Sequence, residues 1–506
     1  MRPLNVRRRV TALASAGVIT AALLAGCGSA VASDSGGSTT TGSQVAASTG
    51  SPTTVEEALA ADVDVEAGDT SYDESDVVDV SLDGDTASSD SDAVSVDGDT
   101  VTITAAGTYR LSGTLDGQVV VNSTGDGVVR LVLDDADITS SSSAAVAVTD
   151  AESVVVVLAD GSSNSLADAS SYDDTSEDAP TGALWSTADL TIGGSGSLTV
   201  TGNTNDGIVV KDGLVISGGT IEVTAVDDGI RGKDYLAITG GDVTVDATGD
   251  AVKSDNETDD GTGFVLVSGG TVTVTSQDDG IKGSQQVLVT GGTITVAESM
   301  EAMEGSTVII DGGTIELHAA DDALNVSGGS TSSDTSAQGG GGGDMSADTA
   351  LQLWINGGDL TVWSSGDGLD SNGYATITGG TITVNGPTTD GNGALDVNGT
   401  LEISGGTLVA LGSAGMAEAP ETDSEQAWLA ATLDSTGAAG STITVTDSDG
   451  TVVLEHVADK EFASVVFSSA DLESGATYTV SVDGTEVATV TNGEAPAGGM
   501  GHPMGG

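Results

Sequence analysis

The stretch TSQDDGIKGSQQVLVTGGTITV (residues 275–296) decides the fold. It sets an acidic pair, Asp278–Asp279, before a Gly, a hydrophobe and Lys282. An apolar run and a Gly-Gly doublet follow, and then Thr293-Ile294-Thr295-Val296 alternates strictly. Nearly the same words stand earlier as VDDGIRGKDYLAITGGDVTV (226–245) and later as GDGLDSNGYATITGGTITV (366–384). Gly-Gly doublets begin at Gly193, Gly218, Gly240, Gly269, Gly291, Gly312, Gly357, Gly379 and Gly405; the commonest step is 22 residues, and longer steps read as insertions. Three short apolar segments per unit cannot bury a face alone, whereas stacked units share one core, so the repeat predicts a solenoid. Strands returning in the same orientation pair in parallel, with coils roughly 4.8 Å apart. The expected fold is therefore all-β, a parallel β-helix of about 22 residues per coil. A propeller blade needs a longer repeat, and the Leu/Asn signature of leucine-rich repeats is absent.

Alternation assigns the faces. Ile221, Val223, Val272, Val274, Ile294, Val296, Ile382 and Val384 should point inward, and Thr271, Thr273, Thr293, Thr295, Thr381 and Thr383 outward as a ladder. In LQLWINGGDLTVWSS (351–365) the same rule turns Trp354 and Trp363 outward. Each either stacks on a sugar ring or is covered by a neighbouring segment, and Trp363, beside the Thr ladder, is the better sugar candidate.

The N-terminal text, MRPLNVRRRVTALASAGVITAALLAGC, has a basic n-region and an apolar h-region, which predicts a secretory signal over 1–26. Leu24-Ala25-Gly26-Cys27 is similar to a bacterial lipoprotein cleavage box, which would make Cys27, the single Cys, a lipidation site. The expected location is extracellular, lipid-anchored at the outer face of the bacterial cytoplasmic membrane. A Ser/Thr/Gly-rich tether follows over 27–54, then the β-helix over 55–420 with a Gly/Ser-rich loop at 330–348. Residues 421–493 read as antiparallel hairpins forming a C-terminal module, and 494–506 as a disordered tail. Beyond residue 26 there are eight Lys and Arg against 77 Asp and Glu, a formal charge of −69. Nucleic acid is a poor partner for that surface and a divalent cation a good one. A monomer is expected.

Aligning units on the Gly-Gly puts Asp206, Asp228, Asp250, Asp279, Glu301, Asp322 and Asp367 in one column, with Asn205, Asp227, Asp278 and Asp321 beside it. Three positions after the first column stand Arg231, Lys253 and Lys282 in consecutive units. Three cations do not neutralise such a stack, and oxygen donors without nearby His or Cys select Ca2+. The plain alternatives are a solvated Asp-Gly corner and a charge-balanced stack.

TVTITAAGTYRLSGTL (100–115), VRLVLDDADITSSSSAAVAV (129–148), ADLTIGGSGSLTVTGNTNDGIVVKDGLVISGGTIEV (188–223) and DDGIRGKDYLAITGGDVTVDATGDAVKSDNE (227–257) resemble the bacterial carbohydrate-binding domain-containing family. The resemblance spans roughly 94–490. It implies a right-handed parallel β-helix that binds calcium and plant-type polysaccharides, including cellulose and acidic pectic sugars. It also implies Asp206, Asp228, Asp250, Asp255 and Asp279 as metal ligands, to which the paired Asp227 and Asp278 are added. Arg231, Lys253 and Lys282 would then face the polysaccharide with Trp354 and Trp363. Two units depart from the pattern: Glu304 replaces the cation, and Gly393-Ala394-Leu395-Asp396 lacks the column acid, so calcium is not expected there. The leading expectation is a surface-anchored, calcium-binding polysaccharide-binding protein. One alternative is a calcium-dependent uronate lyase with Lys253 or Lys282 as base, although carboxylates around a lysine oppose that role. The other is a structural adhesin or stalk.

Overall fold

The computed structural model describes residues 51–176, 178–328 and 347–494. Cys27, the signal, most of the tether and of the Gly/Ser-rich loop, and the tail fall outside these residues. Among them the regular secondary structure is strand apart from a short helix, Val55–Leu59, and one 3-10 turn, Glu74–Asp76. The strands form a parallel β-helix with three faces. The first sheet stacks Thr220–Ala225, Asp242–Ala247, Thr271–Ser276, Thr293–Glu298, Thr314–Ala319, Asp359–Ser364, Thr381–Asn385 and Thr407–Gly412, all parallel. The second runs through Asp206–Val210, Ile230–Gly232, Val252–Ser254, the start of Ile281–Val289 and of Met303–Ile310, Leu324–Val326, Leu369–Ser371 and Leu395–Val397. The third collects the apolar runs before each Gly-Gly, such as Tyr235–Ile238, Phe264–Val267 and Gln352–Ile355.

The eight residues assigned inward on the first sheet are at most 1% exposed, and the six ladder threonines are exposed or half-buried. The second Gly of each doublet turns the corner with a positive φ. At Gly270, φ is +80° and an added Cβ would lie 2.5 Å from the Gly241 carbonyl oxygen, so a side chain is excluded twice over.

Two segments depart from the expected boundaries. Residues 55–76, assigned to the solenoid by the sequence, run outside it as a strap against the third sheet. The Val55 N–H donates to Asp311 Oδ2 (2.9 Å), the Val63 N–H to the Gly261 carbonyl (2.8 Å), the Glu66 N–H to the Tyr235 hydroxyl (3.1 Å) and the Gly68 N–H to Thr191 Oγ1 (2.8 Å). The strap thus travels against the order of the coils. Its cause is the third sheet itself, whose outward residues Val215, Tyr235, Ala237, Phe264, Leu266, Leu288 and Ile309 are apolar and form one buried cluster with Val55 and Ala58. At the other end, the C-terminal segment is joined to the solenoid. Thr407–Gly412 pairs antiparallel with Phe462–Ser468, which pairs in turn with Trp428–Gly437. Trp428, Ala430 and Val466 belong to the solenoid's own core. That pairing covers the terminal edge of the first sheet, which would otherwise present unpaired backbone groups.

Candidate functional site

The acidic column lies at the corner where each coil enters the second sheet. Asp206, Asp228, Asp250 and Asp279 are buried, at 1%, 6%, 2% and 4% exposure. The first three each accept a hydrogen bond from the backbone of the next coil. The Asp228 N–H donates to Asp206 Oδ1 (3.2 Å), the Asp250 N–H to Asp228 Oδ1 (3.0 Å) and the Asp279 N–H to Asp250 Oδ1 (3.1 Å). The ladder resumes where the Asp367 N–H donates to Asp322 Oδ1 (2.5 Å). On these coils one carboxylate oxygen therefore satisfies a corner N–H that has no strand partner.

The second oxygen faces a cation. Arg231 lies 3.2 Å from Asp206 Oδ2, 3.7 Å from Asp228 Oδ2 and 3.6 Å from Asp255 Oδ2. Lys253 Nζ is 2.7 Å from Asp250 Oδ2 and 3.4 Å from Asp228 Oδ2. Lys282 Nζ is 2.6 Å from Asp279 Oδ2 and also pairs with Glu304. In this upper half of the column three cations are shared among Asp206, Asp228, Asp250, Asp279, Asp255 and Glu304. Burial still pushes Asp206 up to about 7, against the pull of Arg231, and Asp279 up to about 8, reinforced by Asp250. For Lys253 and Lys282 burial pulls the other way, but the carboxylates around them outweigh it, and both ammonium groups titrate above the ordinary lysine range.

Below Lys282 the cations end. The register row continues Arg231, Lys253, Lys282, Glu304, Asn325, Asp370, Asp396. Burial, then neighbouring acids, push Asp370 and Glu418 up to about 8 and Asp367 up to about 7. For Asp367 and Glu418 a backbone N–H donor partly opposes the rise. Glu301 is pushed to about 7 by burial against a hydrogen bond from Asn325.

Two groups of carboxylates converge closely enough to share a cation: Asp250, Asp278 and Asp279, and Asp279, Glu301 and Glu304, each with ligand atoms within 4.8 Å of one another. Their donors are hard oxygens, as Ca2+ requires. Asn325 Nδ2 donates to Glu301 Oε2 (2.6 Å), while its Oδ1 is buried with no donor, an acceptor that suits a cation beside Glu301. The donor set therefore fits the metal. One fit falls on the coil that the sequence discounted, because Glu is longer than Asp and Glu301 and Glu304 both approach Asp279 of the preceding coil. Asp206, Asp228 and Asp255 instead share Arg231. Asp227 and Asp278 are exposed at the corner.

The two outward tryptophans differ. Trp354 packs against the cluster that holds Val55 and Ala58, and its Nε1 is buried without an acceptor. Trp363 stacks on His318 of the preceding coil, with ring centroids 4.4 Å apart and planes 2° apart. His318 was not singled out from sequence, although the repeat register places it beside Trp363. No candidate membrane-crossing helix occurs among the described residues.

A sequence model described as "Carbohydrate-binding domain-containing protein" matches residues 97–350, half of the chain. A curated protein of the same description from Acetivibrio thermocellus is 42% identical over 128 residues, which cover 25% of this chain and 45% of that relative. The chain thus spans less than half the length of the curated relative it matches. A solved structure of a polysaccharide lyase-like protein from C. thermocellum, in a gadolinium derivative, is 32% identical, covers 50% of this chain and 97% of its own, and superposes with a TM-score of 0.42.

Proposed function

Since the chain belongs to the carbohydrate-binding domain-containing protein family, we propose that it is a polysaccharide-binding protein that takes up Ca2+ along its acidic corner. Its proposed place is outside the cell, held through a lipid on Cys27. The observation that carries the calcium reading is the convergence of Asp279, Glu301 and Glu304, which share one lysine, Lys282, the last cation of the row. Above it each buried carboxylate of the column has a cation within 4 Å; after Lys282 the row offers Glu304, an amide with an orphaned oxygen, Asp370 and Asp396, and no further Lys or Arg. Asp250, Asp278, Asp279, Glu301 and Glu304 would hold the metal, with Asn325 Oδ1 alongside. When bound, Ca2+ supplies positive charge to a face that otherwise repels acidic sugars. The flat Thr ladder next to this corner offers hydroxyls to a long polymer.

The uronate lyase alternative needs a lysine that gives up its proton near neutral pH. Lys253 and Lys282 are each clamped by two carboxylates that hold the proton on, which argues for binding without chemistry. A glycan array read in millimolar Ca2+ and in EGTA tests the proposal. Retention of acidic polysaccharide that EGTA abolishes supports it, and no retention on any glycan in either condition refutes it. Polygalacturonate incubated with the protein and Ca2+ should give no near-ultraviolet absorbance from unsaturated product; absorbance that Lys282→Ala removes would establish the lyase instead.

A further inference from the structure

A groove of about 470 Å³ lies at the end of the first sheet, where the solenoid meets the C-terminal segment. Its lining includes Gln277, Glu298, Met300, His318, Trp363 and Lys460. Three features set it apart from the acidic column. The first is the parallel ring stack of His318 on Trp363, with His318 held at Nε2 by Glu316 Oε1 (3.0 Å) and its side chain 39% exposed. The second is Met300, one of the few large apolar side chains left exposed, at 46%. Together they offer an apolar surface of the size of a sugar ring.

The third feature is Lys460, which reaches the groove from the C-terminal segment. Its ammonium donates to the Ser364 carbonyl. Among the described residues no carboxylate lies within 4.0 Å of it, in a chain with 77 acidic residues. An ammonium carries three donors, and one is used here. Burial lowers its pKa and no carboxylate charge offsets the effect. A half-buried cation kept clear of the protein's own acids is suited to an acid brought by a ligand.

We propose that this groove is a metal-independent subsite for one sugar residue carrying an anionic group, a carboxylate or a sulfate, with the ring against Met300 and the His318–Trp363 stack and the anion on Lys460. The proposal rests on the polysaccharide-binding reading and names a second, separate place where that binding occurs. It also gives the C-terminal segment a part in recognition, because the solenoid alone supplies no cation to this groove.

The test is tryptophan fluorescence titration in EGTA with trigalacturonate, with a sulfated galactose trimer and with a neutral galactose trimer. Trp185 and Trp428 are buried and Trp354 is packed under the strap, so Trp363 should dominate any ligand-induced change. One or both anionic trimers should bind without calcium, and which one binds identifies the anion. Lys460→Gln should weaken that binding by about tenfold or more, Lys460→Arg should retain it, and His318→Ala should weaken it, each with an unchanged melting midpoint. Anionic binding in EGTA that Lys460→Gln leaves intact overturns the subsite. So does binding seen only with Ca2+, a result that leaves the polysaccharide reading standing. Absence of binding to any trimer or polysaccharide, with or without Ca2+, overturns both.

Discussion

Asp370→Asn should stabilise the protein at pH 9 and do so by much less at pH 5. Asp370 follows Asn325 in the row that begins with Arg231, two coils past the last carboxylate-for-cation exchange. Burial first, then the charges of Asp322, Asp396, Asp367 and Glu301, push its carboxyl up to about 8. In an unfolded chain an aspartate titrates near 3.9. Between those values the folded protein holds a proton that the unfolded chain has released, so stability falls as pH rises. The group's stabilising contribution is complete below about pH 4 and is lost through about pH 8. At about 1.4 kcal/mol per pKa unit, the displacement of about four units sets a ceiling of about 6 kcal/mol, which partial exposure and counterions reduce to about 2 kcal/mol.

Asn keeps the shape without titrating, so it recovers the full amount only at pH 9, above the folded pKa, and about a quarter of it at pH 5. For roughly 425 folded residues, an unfolding entropy of about 2.1 cal/mol/K per residue converts about 2 kcal/mol into a rise of about 2 °C. The assay is thermal unfolding of wild type and variant in EGTA at both pH values. The difference between the two proteins is the readout, because general self-repulsion of so acidic a chain also grows with pH. An equal shift at pH 5 and pH 9, or a destabilised variant at pH 9, would refute the reasoning. Either result would mean that Asp370 is ionised at little cost in the folded state.

Arg231→Met strips the cation from Asp206 and Asp228, both buried, and should cost about 3–5 kcal/mol in urea unfolding; adding Asp206→Asn should restore part of the loss, and a cost below about 1 kcal/mol would mean that solvent screens the pair. Millimolar Ca2+ should raise the melting midpoint relative to EGTA; Glu301→Gln with Asp278→Asn should remove most of that rise and Asp255→Asn little of it, while the absence of any rise in wild type sinks the metal reading. Gly270→Ala should destabilise by about 1–3 kcal/mol, since it combines a positive φ with backbone overlap, whereas Gly125→Ala, with open space around it, should be neutral in the same melt.

The solenoid was legible because its physics is local and repeated. A buried Val or Ile every second residue, a doublet whose second Gly must turn left-handed, and a fixed unit length all recur within one coil, so Ile294 and Val296 could be placed inward from their own neighbours. The acidic column was legible for the same reason, down to the cation beside it. What a single unit does not contain was not legible. The strap joins Val55 to Asp311 across 256 residues, and residues 55–76 carry no period. The signal that demanded it lay elsewhere: Tyr235, Ala237, Phe264 and Leu266 stand at outward positions, so their strands are apolar on both faces, a pattern that requires a cover on each side. The division of labour within each Asp, with one oxygen on the next coil's N–H and the other on a cation, also needed coordinates, because sequence spacing gives the neighbour and not the atom. Lys460 lies outside the repeat altogether, so no alignment of units could bring it to Trp363. The same locality explains where function can vary. Inside the repeat, each column residue also holds up its own corner, and changing it disturbs the next coil. At the junction with the C-terminal segment the lining residues of the groove stand outside the acidic ladder, and recognition there can change while the ladder stays intact.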